Sequence, residues 1–378
     1  MSLGGVPVGR IALAIAFGLA GGALFAWARL PLPWMLGSMV VVTLAALAGV
    51  PVGLPSGLRG AMVTVIGVLL GSAFTPELMR RAATWAVTLG ALVLYIAIGI
   101  ACALWYLRRY SRYDAITAFF SAAPGGLNEM VVVGRAMGGD DRVISLTHAA
   151  RVFLVVMILP FWFRFFEGYV PPPVVQQAHG LMSVPPLDLL ILAACGLVGA
   201  LVARRLRLPA AMMMGPMILS ATVHLAGITD QPPPWELVAV GQIAMGTAVG
   251  CRFAGVRAAS LLDTLRAAAG TTVILVGITV VFAMVLHRIT GISMQGIVLA
   301  FTPGGLAEMS LVALALGIDT AFVSTHHVAR IAIIVVMAPL FYRLIGRRWW
   351  DNPDDGGAGM DRVDAKGSGD ADKSKEGP

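Results

Sequence analysis

The chain has 378 residues, of which 58% are hydrophobic and only 12% charged, and its formal net charge is +7. With a mean hydropathy of +0.84, this composition excludes a soluble globule and reads as an all-α polytopic membrane protein. Lysine occurs only near the C-terminus, so the basicity elsewhere is arginine, which fits cytoplasmic loops facing anionic lipid better than a nucleic-acid surface.

In chain order, six apolar segments fall near residues 11–28, 33–50, 60–76, 82–106, 113–137 and 143–166. Six more fall near 187–203, 209–228, 236–253, 264–287, 292–316 and 321–343. Most are about 17 to 25 residues, enough for a helix to cross a hydrocarbon core of about 30 Å. The first has no convincing cleavage site and is expected to be a retained span. This gives a first membrane repeat at 1–166, a proline-rich connecting loop at 167–186 and a second repeat at 187–348. Residues 349–378 are a polar tail that cannot bury a core, and disorder is expected there. Cys102, Cys195 and Cys251 lie apart and suggest neither a disulfide framework nor a metal site.

The fifth segment of each half carries the same motif, PGGLNEM from Pro124 to Met130 and PGGLAEM from Pro303 to Met309. The agreement continues in register: Asp140 falls on Asp319, Ser145 on Ser324, His148 on His327, Arg151 on Arg330 and Pro160 on Pro339. It also reaches back, since RLPLPWMLGSM (Arg29 to Met39) resembles RLPAAMMMGPM (Arg207 to Met217). Gly67, Gly71 and Phe74 fall on Gly246, Gly250 and Phe253, and Gly18 and Gly21 on Gly196 and Gly199. An internal duplication explains this pattern, the small residues being suited to close helix packing in lipid.

Each PGG interrupts its apolar segment so that the two parts cover about half a bilayer each. Proline suits the first turn of a new helix and the glycines allow a reversal, so the segment is either a re-entrant hairpin or a broken crossing helix. Arginine placement favours two re-entrant hairpins, with five transmembrane helices per half and an inverted repeat. That topology leaves Arg59, Arg108, Arg109, Arg112, Arg135, Arg142, Arg204, Arg205, Arg207, Arg257, Arg266, Arg347 and Arg348 inside. Arg29, Arg80, Arg81, Arg164 and Arg288 are left outside.

Helices starting at Pro124 and Pro303 would present their N-termini at mid-membrane, where unpaired N–H groups can cradle an anion. Candidate substrate-binding residues are therefore Gly125, Gly126, Asn128, Glu129 and Arg151 in the first repeat. In the second they are Thr302, Gly304, Gly305, Glu308 and Arg330. Asn128, Thr302 and His326 differ from their counterparts Ala307, Ala123 and Thr147 and are candidates for specificity. Glu129, Glu308, His148, His327 and His326 are candidates for proton or coupling-ion binding. The competing reading makes Glu129–Arg151 and Glu308–Arg330 buried ion pairs that pin each hairpin, with the histidines merely buried. Asp140 and Asp319 read as helix caps, and Arg252, opposite Ala73, as a side chain snorkelling to the interface.

The duplicated PGGLxEM with its trailing HxxR resembles the AbrB-duplication membrane proteins, also labelled ammonia monooxygenases, over about residues 10 to 345. The resemblance implies a bacterial inner-membrane protein of two repeats, under labels that speak of regulating gene expression or oxidising ammonia. The layout is also similar to bacterial sodium-coupled glutamate and citrate symporters, an architectural analogy only. The residues themselves show no metal-ligand spacing and no helix-turn-helix, so no metal, cofactor, catalytic residue or direct nucleic-acid binding is expected. The expected function is a secondary transporter of a small organic anion or amino acid, coupled to H+ or Na+ and working by alternating access between the repeats. The alternative is a membrane-embedded ligand sensor affecting gene expression without transport, and a membrane monooxygenase is third. The expected partners are the lipid bilayer, an anionic or zwitterionic solute and H+ or Na+, with room for a homo-oligomer. Both termini are expected in the cytoplasm.

Overall fold

The computed structural model describes residues 2–3, 5–165, 168, 180–256 and 258–341. The tail at 349–378, most of the joint at 167–186, and Arg257, Arg347 and Arg348 lie outside the described residues. The protein is an all-α polytopic membrane protein. In lipid every backbone polar group must be satisfied within the chain, which selects helices for these apolar segments. The first half forms α1 Val8–Trp27, α2 Pro33–Leu47, α3 Ser56–Ser72, a short α4 Pro76–Arg81, α5 Trp85–Tyr106, α6 Ala115–Ala122, α7 Leu127–Ala136 and α8 Asp141–Phe165. The second forms α9 Pro186–Arg205, α10 Ala211–Leu225, α11 Trp235–Gly250, α12 Ala258–Thr290, α13 Met294–Phe301, α14 Leu306–Leu316 and α15 Thr320–Phe341. Among the described residues the strands are one two-residue pair, Ser2–Leu3 with Val6–Pro7. Residues Met1–Val335 form one unit, and the end of α15 is the described part of a second, Val336–Pro378.

Among the described residues six stretches are long and apolar enough to cross a membrane: α1, 82–111, α8, α9, 262–290 and 320–337. Their surroundings differ. In α1 only 22% of the apolar window is buried by protein, and Leu24 is open to the outside, as are Leu197 of α9 and Val273 of α12. Those open apolar faces suit lipid. In α8 the figure is 67%, which places that helix inside the bundle.

Two expected spans are shorter than anticipated. Helices α2 and α10 have 15 residues each, about 22 Å at 1.5 Å per residue, less than the hydrocarbon core. Both stop early: Gly49 and Gly227, with φ of 85° and 69°, end them in the left-handed conformation. The RLP turn before each fixes where it starts, Arg29 and Leu32 taking φ of 53° and 47°, and Arg207 and Ala210 54° and 47°.

Glycines set how the short helices pack. The Gly21 backbone lies on that of Gly37, joining α1 to α2, and Gly199 lies on Gly215, joining α9 to α10. The halves then exchange partners. Gly67 and Gly71 of α3 rest on Met213 and Met217 of α10, and Gly246 and Gly250 of α11 rest on Met35 and Val42 of α2. These six helices form one interlocked group.

Of the two forms open to each PGG segment, the hairpin is the one observed. The Asp140 N–H at the end of the first hairpin donates to Thr117 Oγ1 in the first turn of α6, at 2.9 Å. Ile116 lies beside Gly139, and in the second hairpin Ile318 lies beside Gly296. The chain therefore returns to the level at which it entered. Both hairpins start and stop alike. Asp114 and Ser293 cap α6 and α13 by accepting the N–H of Thr117 and Gly296. Gly138 and Gly317, with φ of 95° and 66°, end α7 and α14 in the left-handed conformation that such caps use.

Candidate solute-binding site

The break between α6 and α7 is made by Ala123 and Gly126, whose ψ of 124° and 133° are extended. Thr302 and Gly305 do the same between α13 and α14, with ψ of 139° and 149°. Proline at 124 and 303 has no N–H to offer, so the last carbonyls of α6 and α13 need donors from elsewhere. A buried arginine supplies them. Arg151 Nη1 donates to Ser121 O at 3.1 Å and Ala122 O at 3.4 Å, and its Nη2 donates to Ala123 O at 3.3 Å. Arg330 donates to Thr302 O at 2.7 Å and Gly304 O at 2.6 Å. Helix-end carbonyls carry partial negative charge, which offsets the cost of burying a guanidinium.

The histidine three residues earlier shares that helix face. His148 Nε2 reaches Phe120 O at 2.8 Å, and His327 Nε2 reaches Leu299 O at 3.0 Å. Arg151 Nη2 also lies 2.9 Å from His148 Nδ1. Arginine can only donate, so Nδ1 accepts and the ring carries its hydrogen on Nε2.

The rest of the motif follows from two side chains folding back. Glu129 curls over Gly126 and Glu308 over Gly305, where a Cβ would collide with the carboxylate. Gly125 and Gly304 lie under Met130 and Met309 in the same way. A glutamate at the third position of a helix suits the positive N-terminal end. The helix N-termini expected to cradle an outside anion are thus already faced by the chain's own carboxylates. The competing reading of glutamate–arginine ion pairs is also corrected: among the described residues none joins Glu129 or Glu308 to Arg151 or Arg330. Each arginine is held by carbonyls instead, and Glu129 Oε1 accepts the N–H of Ala210, at 3.3 Å.

Both hairpin breaks open on one cavity of about 420 Å³. Its wall combines Gly125 to Glu129, Pro303 to Glu308, His148, Arg151 and Arg330 with groups from α3, α10 and α11. It therefore lies between the hairpin-bearing helices and the interlocked group of six.

The sequence model of the family described as Transition state regulatory protein AbrB matches residues 34–346. The chain belongs to the AbrB family. It is 27% identical over 359 residues to Uncharacterized protein YhjN of Bacillus subtilis (strain 168), covering 88% of this chain and 92% of that protein. It is also 27% identical over 166 residues to "Putative regulator AbrB" of Escherichia coli (strain K12), covering 43% of this chain and 47% of that one.

In this AbrB-family chain the structure brings together Gly125, Gly126, Asn128, Glu129, His148, Arg151, Gly304, Gly305, Glu308 and Arg330 on the cavity wall. Three expected residues are not on it. The Thr302 hydroxyl donates to Val298 O at 2.6 Å. His326 bridges Phe322 O and Thr88 Oγ1, at 2.8 Å each, and packs its ring on Phe322. His327 is buried beneath the break. Two arginines were not expected there. Arg59 of α3 and Arg252, just after α11, both line the cavity. Arg252 does not snorkel: it donates to Asn128 Oδ1 at 3.1 Å and to Ser145 Oγ at 3.3 Å. The available signal was a charge with an apolar counterpart, since Arg59 falls on Val238 and Arg252 on Ala73.

Proposed function

We propose that the protein is a secondary transporter of a small organic anion, with this cavity as its solute site. One observation carries the reading: both PGG breaks, four arginines and two glutamates face a single cavity of about 420 Å³. That volume suits a small metabolite. Non-helical backbone at membrane depth is tolerated only where it is buried in protein or lines such a cavity. Four arginines against two carboxylates favour an anion over a cation.

The two halves, 1–166 and 187–348, act as inverted repeats in a bacterial inner membrane, with both termini in the cytoplasm. The reciprocal packing of α3 on α10 and α11 on α2, and the matching hairpin bonds, support this arrangement. Alternating access consists of the hairpins, α8 and α15 shifting against the interlocked six helices, exposing the cavity to each side in turn. Glu129 and Glu308 are the coupling groups. Each carboxylate lies at a helix N-terminus on the cavity wall, where binding H+ or Na+ changes its hold on the helix and its repulsion of the solute.

The test is uptake by the purified protein in sealed vesicles, using a panel of labelled carboxylates and acidic amino acids. Saturable uptake driven by a pH or Na+ gradient is expected for at least one solute. In Glu129→Gln and Glu308→Gln the gradient should stop driving accumulation while exchange persists. Absence of both uptake and exchange across the panel would sink the transporter reading.

A further inference from the structure

The charges on the cavity wall divide into those the chain satisfies itself and those it does not. Arg151 and Arg330 lie on helix-end carbonyls, and Glu129 and Glu308 lie over the N-termini of α7 and α14. Each hairpin thus pairs its own groups with its own helix ends. Arg59 and Arg252 are left without a charged partner, Arg252 donating only to the neutral Asn128 and Ser145. Neither has a carboxylate at ion-pair distance among the described residues, although the charge of Glu308 reaches Arg252 through space. Arg59 and Arg252 also act on each other as like charges. Arg59 Nε is buried without a hydrogen-bond partner, as are Arg151 Nε and Arg330 Nε. Buried donors of this kind call for an acceptor, and two guanidinium groups facing one cavity repel until an anion lies between them.

We propose that Arg59 and Arg252 hold the second anionic group of a doubly charged solute, making the site selective for small organic dianions of the dicarboxylate class. The first anionic group lies toward the hairpin breaks, where Arg151 Nε and Arg330 Nε lack acceptors. Because Val238 and Ala73 occupy the counterpart positions, the second clamp exists on one side only. It therefore orients an otherwise near-symmetric site. Arg252 is positioned by Asn128, which ties the clamp to the first hairpin. A guanidinium fork matches a carboxylate with two parallel bonds, which an ammonium cannot do.

This inference rests on the cavity being the solute site and does not require transport. The experiment is equilibrium binding of succinate, glutarate and butyrate to the full chain purified in detergent, by calorimetry and by ligand-induced thermal shift. Succinate or glutarate should bind at least about tenfold more tightly than butyrate. Arg59→Gln and Arg252→Gln should each weaken dianion binding by about tenfold or more and butyrate binding several-fold less. Arg59→Lys and Arg252→Lys, which retain charge and guard against loss of folding, should fall between. Equal affinity for butyrate and the dianions, absence of dianion binding, or equal weakening of all three in the Gln variants overturns the proposal. Dianion binding lost in these variants without vesicle uptake would uphold the clamp and end the transporter reading. Uptake of a monoanion insensitive to Arg59 and Arg252 would do the reverse.

Discussion

Replacing Arg330 with methionine should destabilise the protein more than replacing Arg151, although both sit in the same HxxR motif. Both side chains are buried, at 1% exposure each. Arg330 makes two short bonds, of 2.7 and 2.6 Å, to the carbonyls of Thr302 and Gly304. Methionine fills similar volume but leaves both acceptors buried and unpaired, at about 1–3 kcal/mol each. Removing a buried guanidinium returns part of its desolvation cost, so a net loss of about 3 kcal/mol is expected. Arg151 spreads its charge over three longer bonds to carbonyls, of 3.1 to 3.4 Å, and a fourth to His148. Those bonds are already long, so less is lost at each acceptor than at Arg330, and a net cost of about 1–2 kcal/mol is expected. The assay is reversible denaturant unfolding in mixed micelles, followed by tryptophan fluorescence. Equal costs for the two variants, or either lying within about 0.5 kcal/mol of wild type, would refute the carbonyl-anchoring argument.

Other outcomes follow from the geometry. Gly21→Ala forces a methyl into the Gly37 backbone and should cost about 1–3 kcal/mol, whereas Gly90→Ala, with open space around it, should gain about 0.5–1 kcal/mol from helix propensity. Unfolding of the two variants side by side checks both signs. His326→Gln should lower the unfolding midpoint while leaving the dissociation constant of a bound dianion unchanged, because its ring serves Thr88 and Phe322. A changed affinity would return His326 to the site. Single cysteines at Asp140 and Asp319, in a background lacking Cys102, Cys195 and Cys251, should react with an impermeant thiol reagent from opposite faces of the membrane. Labelling from one face would remove the inverted-repeat proposal.

The sequence showed the interruptions plainly, because proline and paired glycines in an apolar run can only break it, but it left each break open between a hairpin and a crossing helix. Gly21, Gly67 and their counterparts were plain too, since their small size has a packing meaning in lipid. It misled about the arginine partners. A buried Arg near a Glu invites an ion pair, but the acceptors Arg330 uses are the carbonyls of Thr302 and Gly304, and backbone acceptors carry no letter in a sequence. Thr302 and His326 drew attention by differing between the copies, yet their side chains bond Val298 and Thr88. Arg59, read as a loop arginine, and Arg252, read as snorkelling, were misplaced for a related reason. Comparing the two PGGLxEM stretches highlights what they share, and a charge present in one half reads as drift until the fold places it on the cavity wall.

The exchange of glycine contacts between α3 and α10, and between α11 and α2, constrains the order in which the molecule can be built. The ribosome delivers α2 and α3 long before α10 and α11 exist, so the faces that will meet them wait without their final neighbours through most of synthesis. Short helices held in that state are exposed to mispairing and to quality control. Residues 1–166 released alone should be degraded in cells. Expressed beside residues 187–378 as a separate chain, they should survive, each fragment acting as the other's chaperone.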